Sequence, residues 1–353
     1  MVRLAAATVA VARLSRAARR RPPVTAPPDG TTSIMSITVV IPARDEIARL
    51  GPLLAALQTA SGVAEVIVVD DESTDGTADL AARAGATVVA GRPLPTGWVG
   101  KAWALQQGLA AASSEWVVTL DADTRPDPAL PLALVERMRT DDSDLITAAG
   151  RFDCPTAPLR WLHPALLTTL LYRVAPPGAL HSGPVHRRMG NGQCMAFRRA
   201  TLIDAGGFAP VAHHTVEDVA LVRGLAVAGY AVDLLDATSL LQVRMYESAR
   251  SAWSGWGRSL SLPGVDPMSR RAADLFVVAV AQAAPLVRLV GRRADPLDVV
   301  LLAVRLGTLV GTRRAYGRRA AAYWLSPLAD PLAVLALVCG LIARRQRWRG
   351  RVY

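Results

Sequence analysis

The sequence predicts an α/β fold, a mixed and mostly parallel sheet with helices on both faces, followed by C-terminal helices of membrane-associated character. Three observations carry the prediction. From Ile37 onward, short apolar runs alternate with helical stretches, as in sheets assembled from strand–helix–strand crossovers. Several of those runs end directly in acidic residues, at Asp70-Asp71-Glu72 and at Asp121-Ala122-Asp123. Beyond Val265 the alternation gives way to long apolar segments broken by arginine clusters.

Residues 1–34 are rich in Ala and Arg and then in Pro, with an apolar part, Leu4 to Val11, too short to span a bilayer. They read as an interfacial anchor or a disordered arm, with translation from Met35 as a third alternative. The expected catalytic domain occupies 35–265 and the C-terminal helices with their Arg-rich tail occupy 266–353. Strands are expected at Ile37–Ile41, Glu65–Val69, Ala86–Ala90 and Trp116–Leu120, with helices over Glu46–Ala60, Asp75–Ala84 and Gly100–Ala112. Past Ile146 the pattern is less regular. Trp161–Val174 reads as a membrane-facing or acceptor-covering helix, Asn191–Phe197 as a strand, Thr201–Ala205 as a short helix, and a further helix ends near Gly229.

The chemistry is expected at the carboxyl ends of the strands, where open α/β sheets bind ligands. Asp121 and Asp123 are two apart and able to share a face toward one hard cation, which takes one or two carboxylates plus substrate phosphates. Pro126 is expected to stop the strand. Asp75 or Thr74 reads as a helix cap, and a carboxylate in that loop could accept hydrogen bonds from a base or ribose. Gly97 to Trp103 opens a helix whose backbone N–H groups, with Lys101, suit a diphosphate. Lys101 is the only lysine in a chain with 40 basic residues. Thr215 and Asp218 have capping-box spacing, so Asp218 reads either as a cap or as a reactive group. His213 and His214 read as loop residues, since no third ligand lies at metal-site spacing.

In the tail, about Ala272–Val290, Pro296–Val310 and Ala321–Ala343 are apolar, and only the last reaches the length of a span. Arg313, Arg314, Arg318 and Arg319 cluster, as do Arg344, Arg345, Arg347, Arg349 and Arg351, which favours an even number of crossings, or re-entrant and interfacial helices. The net charge of +11 is unevenly placed: residues 35–265 hold 19 basic against 23 acidic side chains, so the excess lies on the flanks. That distribution suits an anionic membrane surface and argues against nucleic acid, whose readers carry positive charge on the folded domain. The cysteines Cys154, Cys194 and Cys339 lack paired spacing and fit a reducing compartment.

Four segments in order, Ile41-Pro42-Ala43-Arg44-Asp45-Glu46, Val69 to Thr77, Asp121-Ala122-Asp123 and Glu217-Asp218, resemble glycosyltransferase family 2, the nucleotide-sugar enzymes of GT-A fold. The resemblance covers roughly 37–260. Gly97 to Leu105, with Arg244-Met245-Tyr246 and Gly255-Trp256, is similar to membrane-associated members acting on carotenoids and hopanoid-type lipids. The Gln-x-x-Arg-Trp motif of processive synthases is absent, which implies transfer of a single sugar.

The resemblance implies an inverting, metal-dependent transfer from a nucleotide-diphosphate sugar, with UDP the expected carrier, to the hydroxyl of a lipid acceptor at the cytoplasmic side of the cell membrane. Glu46, Asp70 and Asp71 would bind the nucleotide, Lys101 the diphosphate, Asp123 with Asp121 a Mg²⁺ or Mn²⁺, and Asp218 would be the general base. Pro42, Arg44, Glu217, Arg244 and Trp256 complete the expected substrate-binding set. Alternatives are a polyisoprenyl-phosphate sugar transferase, a nucleotidyltransferase of similar fold, or a non-catalytic membrane scaffold.

Overall fold

Residues 37 to 41 are all sealed from solvent in the computed structural model, as expected of a strand covered on both faces. The structure describes residues 1–28, 35–174, 176–180, 183–342, 347–348 and 351–352. Arg344, Arg345 and Arg349 of the expected Arg-rich tail lie outside the described residues, as do 29–34 of the expected arm. The chain forms two compact units, one of residues 21–150, 188–243 and 347–353, the other of 1–20, 151–187 and 244–346.

The first unit is a seven-stranded sheet. Its strands are β1 (Ile37–Ala43), β2 (Val63–Asp70), β3 (Thr87–Ala90), β4 (Trp116–Leu120), β6 (Leu145–Ala149), β8 (Cys194–Arg198) and β9 (Val232–Asp236). Their order is β3-β2-β1-β4-β8-β6-β9, and only β8 runs antiparallel to its neighbours. Short β5 (Thr124–Pro126) pairs antiparallel with β10 (Leu241–Val243), while the two-residue β7 (Arg151–Phe152) belongs to the other unit. The mixed, mostly parallel sheet expected from the sequence is present.

Register explains how acidic residues converge. β1 lies between β2 and β4 in parallel pairing, with Ala43 opposite Asp70 and Val40 opposite Thr119. The carboxyl ends of three strands therefore share one edge. Antiparallel β8 adds its amino end there, with Cys194 opposite Leu120 and the Asp121 N–H donating to the Gln193 carbonyl at 3.0 Å.

The helix Gly100–Ala111 packs on the sheet through Gly108, where an added Cβ would come within 2.3 Å of Val40 Cγ1. Residues 21–28 also join this unit. Arg21 pairs with Asp141 and Asp233, each at 2.9 Å, and the Val24 N–H donates to the Asp236 carbonyl.

Several elements depart from expectation. β6, β9 and the helix Leu130–Asp141 appear where no element was expected, and β4 stops at Leu120 while Pro126 ends a separate short strand. Residues 2–14 form a helix with Ala6, Ala7 and Ala10 buried. The unit boundaries differ from 35–265 and 266–353, because the helix Ala157–Leu171 and residues 244–265 pack with the C-terminal helices.

That second unit has a core of Leu159, Leu162, Leu166, Trp256, Val278 and Leu337 among others. The helix over 157–171, expected to face a membrane or acceptor, thus buries much of its apolar surface within the protein. Among the described residues, one helix, Met268–Val290, is long and apolar enough to cross a membrane, with 44% of its apolar window buried inside the protein. The expected candidate, Ala321–Ala343, breaks instead around Leu325 into short helical pieces and Asp330–Ile342, while residue 343 lies outside the described set. A π turn over Ala279–Ala283 lies just before Pro285 in the long helix; such widened turns can accommodate a missing proline N–H.

The charges inside these apolar segments are paired. Arg305 meets Asp330 at 2.8 Å and also donates to Ser326, while Gln282 donates to Asp330 at 2.7 Å. Arg3 and Arg288 both pair with Asp295 and Asp298.

Gly108→Ala should overpack the helix against β1 and destabilise the protein by about 1–3 kcal/mol. Adding Val40→Ala, which removes the methyl in the way, should recover part of that loss in urea unfolding. Additive losses would mean that the two positions do not share the space.

Candidate active site

At the edge where β1, β2 and β4 end, two turns are laced together. The Asp45 carboxylate accepts the Thr74 N–H at 2.9 Å, Ser73 Oγ accepts the Asp45 N–H at 3.0 Å, and Thr77 Oγ1 accepts the Glu46 N–H at 2.9 Å. Asp75 accepts the N–H of both Ile47 and Thr77 at 3.0 Å, at the starts of the helices Ile47–Leu57 and Thr77–Arg83. Burial alone would raise the Asp75 carboxyl, but these hydrogen bonds and that of the Thr77 hydroxyl outweigh it and hold it below the usual range. Asp45 and Glu72 adopt left-handed backbone, φ 51° and 59°, a strained state for non-glycine residues that clusters at functional sites.

Around these turns lie the residues expected to hold a nucleotide. Arg44 donates to the Asp71 carbonyl at 2.8 Å and also approaches Glu72. Asp71 is buried, and its N–H donates to the Ala43 carbonyl. Asp70 Oδ2 accepts the Ser73 N–H at 3.3 Å, whereas its Oδ1 is buried without a hydrogen-bond partner among the described residues. Glu46 is buried and pairs with Arg49 at 3.1 Å. Pro42 is half-buried on β1.

After β4 the two aspartates have different surroundings. Asp121 Oδ2 sits 2.8 Å from Lys101 Nζ. Among the described residues Asp123 Oδ1 is buried with no hydrogen-bond partner, and the carboxyl is raised to about 7, first by burial and then by repulsion from Asp121. Glu46 acts on it in the same direction, while Lys101 and Arg49 oppose the rise.

Lys101 extends from the second residue of its helix into the centre of the acidic group. Besides Asp121 it pairs with Glu217 Oε1 at 3.2 Å and donates to the Gly192 carbonyl at 3.4 Å. Burial alone would lower its pKa, but Asp121, Glu217 and Asp218 outweigh that and hold it above the ordinary lysine value. Glu217 is buried, and burial pushes its carboxyl up to about 7.

Asp218 is held by backbone donors: Oδ2 accepts the Gly192 N–H at 2.7 Å and Oδ1 accepts the Val219 N–H at 2.8 Å. Burial raises its pKa above the usual carboxylate range. The helix Glu217–Val227 starts after Val216 without a side-chain cap, so the capping-box alternative for Thr215 and Asp218 is not realised. Glycine is needed close by: a Cβ on Gly190 would lie 2.5 Å from the Asp218 carbonyl oxygen, and one on Gly192 would press on Asp218, Lys101 and Glu217.

The structure thus brings Lys101, Asp121, Glu217 and Asp218 together, with Asp123 and Glu46 in electrostatic reach of the same group. Arg244 and Trp256 belong to the other unit. There Arg244 is exposed and paired with Glu247 at 2.8 Å, while Trp256 is buried and stacked on His163 with ring centroids 4.2 Å apart. Sequence reasoning missed Gly192 and Arg49. Gly190-Asn191-Gly192 ahead of a strand was the available signal for a close backbone approach.

Among the described residues no three His, Cys, Asp or Glu side chains form a group able to hold a metal by themselves. Asp123, with an unpartnered buried oxygen and a repelling neighbour in Asp121, fits instead a hard cation completed by substrate phosphates.

Comparison with known proteins bears on this arrangement. Residues 38–205 match the model of the family Glycosyl transferase family 2. A 4,4'-diaponeurosporenoate glycosyltransferase of Staphylococcus haemolyticus is 40% identical over 97 residues, 27% of this chain and 26% of that protein. One of Staphylococcus aureus is 42% identical over 89 residues, 25% of this chain and 24% of that protein. The matched stretch spans about a quarter of the length of these relatives. A mannosyltransferase from Pyrobaculum calidifontis, solved with GDP-Man and Mn²⁺, shares the fold over 97% of this chain and 96% of its own, with TM-score 0.58 and 20% identity. With the sheet order and the acidic edge, the family match identifies residues 38–205 as a glycosyltransferase family 2 domain of GT-A fold.

Proposed function

We propose that the protein is an inverting glycosyltransferase that moves a single hexose from a nucleotide-diphosphate sugar, with UDP as carrier, to the hydroxyl of an apolar lipid such as a carotenoid. The observation that carries this is the acidic edge itself. A cation-seeking carboxylate, Asp123, inside the family 2 match and a buried base, Asp218, beyond its end share surroundings with one lysine. The relatives are named for diaponeurosporenoate, a carotenoid carboxylate, and so support an apolar lipid as acceptor, while the hydroxyl rests on the reading of Asp218 as a base.

In this mechanism Asp71 and Glu46, with Asp70 beside them, hold the base and ribose in the cradle formed by the laced turns. Asp123, aided by Asp121, would hold a Mg²⁺ or Mn²⁺, which would supply positive charge against the departing diphosphate. Asp218 accepts the proton of the acceptor hydroxyl as that oxygen attacks the anomeric carbon and the bond to the diphosphate breaks. The raised pKa of Asp218 favours this task, because it makes the carboxylate a stronger base than an ordinary one. One displacement inverts the carbon, so an α-linked donor gives a β-glycoside.

We place the helical unit at the cytoplasmic face of the cell membrane. Support comes from the span-length helix Met268–Val290, from exposed Val287, Val290, Val299, Leu306 and Leu325, and from arginines 313, 314, 318 and 319 beside them in sequence.

Asp218→Asn should lower sugar transfer from UDP-glucose to a hydroxylated carotenoid in detergent by at least about 100-fold while leaving Mn²⁺-dependent UDP affinity within about threefold. Asp123→Ala should instead weaken that affinity by tenfold or more in calorimetry, on the order of the 1.4 kcal/mol that a factor of ten represents. Residual transfer at wild-type rate in Asp218→Asn would remove the assigned base.

The raised Asp123 and Glu217 carboxyls also set the pH dependence of the metal-free protein. Between an unfolded pKa of about 4 and the folded value of about 7, the folded state binds protons that the unfolded chain has released. Stability should therefore fall as pH rises through that window and level off above it. Asp123→Asn should flatten part of the slope and stabilise the metal-free protein at pH 8 by roughly 1–3 kcal/mol. A melting profile from pH 4 to 9 checks this, and an unaltered slope in the variant would contradict it.

A further inference from the structure

Three groups converge on the Lys101 ammonium: Asp121 at 2.8 Å, Glu217 at 3.2 Å and the Gly192 carbonyl at 3.4 Å. An ammonium has three N–H donors and no more. Two are donated to Asp121 and the Gly192 carbonyl, and Glu217 pairs with the ammonium by charge, so a diphosphate would have to compete with three protein groups for this lysine. The acceptors come from three separate segments: the end of β4, the loop entering β8 and the first residue of the helix Glu217–Val227.

Gly192 continues the chain of contacts. Its carbonyl accepts from Lys101 and its N–H donates to Asp218 at 2.7 Å. A polar run therefore leads without a break from Asp121 through Lys101 and Gly192 to Asp218. The adjacent acids Glu217 and Asp218 are differentiated by it. Glu217 is committed to the ammonium, whereas the oxygens of Asp218 are aimed by two backbone N–H groups.

We infer that Lys101 and Glu217 are positioning residues, forming a charged strut that fixes the general base relative to the carboxylates after β4, and that Lys101 is not a ligand of the diphosphate. The inference rests on the reading of Asp218 as base. It reverses the role expected for Lys101 from the glycine-flanked sequence around it. The fit of Gly192 agrees with a strut, since a side chain there would be driven between Lys101 Nζ and Asp218 Cβ, both 3.1 Å from the position of its Cβ.

The test compares Lys101→Met, Glu217→Gln, the double variant and Glu217→Asp in the full chain. Calorimetry with UDP and Mn²⁺ reads donor binding, and transfer from UDP-glucose to a hydroxylated carotenoid reads kcat. As positioning residues, Lys101→Met and Glu217→Gln should each reduce kcat by about 10–100-fold with UDP affinity within about threefold. The double variant should be little worse than either single one, because both changes break the same strut.

A tenfold or greater loss of UDP affinity in Lys101→Met would overturn the inference and return the lysine to the diphosphate, as would strictly additive kcat losses. Should removing a charge prevent folding, Glu217→Asp keeps the pair but shortens one arm by a methylene, and full kcat in that variant would equally overturn it. A wild-type protein that binds UDP without transferring sugar would defeat the reading of Asp218 instead, and the affinity comparison would still decide the role of Lys101.

Discussion

One ammonium makes the acidic edge of this sheet tenable. Asp121, Glu217 and Asp218 act on Lys101 together, and two of the three touch it directly. Without a cation, burial would protonate or separate them, since like charges in a shielded site cannot all ionise. Lysine suits the place better than the arginine used everywhere else in the chain. Its compact point charge with three donors serves three acceptors arriving from different directions, whereas a guanidinium is a planar fork matched to one carboxylate or phosphate. Asp123 is the member with the least provision, and its unpartnered oxygen is the place where an added cation would stabilise the assembly most.

The backbone makes that gathering inexpensive. Parallel pairing of β2, β1 and β4 sends their carboxyl ends to one edge, and reversal of β8 supplies Gly192 there as well. The strained turns at Asp45 and Glu72 persist because hydrogen bonds tie each loop to its neighbour. Neither turn would hold such a conformation alone. Rigidity at this edge comes less from any single strong contact than from many short ones that share partners.

Much of this was legible in the sequence. β1, β2 and β4 are near-continuous runs of Val and Ile because both faces are covered, and such runs stand out from their surroundings. Asp121, Asp123, Glu217 and Asp218 could be picked out because their spacing is informative even where each motif alone is weak. β6 and β9 escaped notice. One follows an acidic turn, and the other carries Asp233, which is buried and paired with Arg21 from more than 200 residues away. Gly192 was invisible for a different reason: its contribution is its backbone, which no residue type announces. Trp256 shows a different limit. An aromatic on an amphipathic helix looks alike whether it faces a ligand or, as here, stacks on a buried histidine.

The C-terminal helices show the same limit in their charges. Asp298, Arg305 and Asp330 make these segments look too polar for an apolar setting, yet all three are almost completely buried and matched within the unit. Hydropathy counts each charge as though it faced outward, whereas a paired and hydrogen-bonded one adds little polarity to the surface. Val287, Val290, Val299 and Leu306, by contrast, are exposed on these helices. The arginine-rich connections then become the main polar feature of the region, and this separation of apolar helix faces from basic turns is the distribution that an anionic bilayer surface attracts.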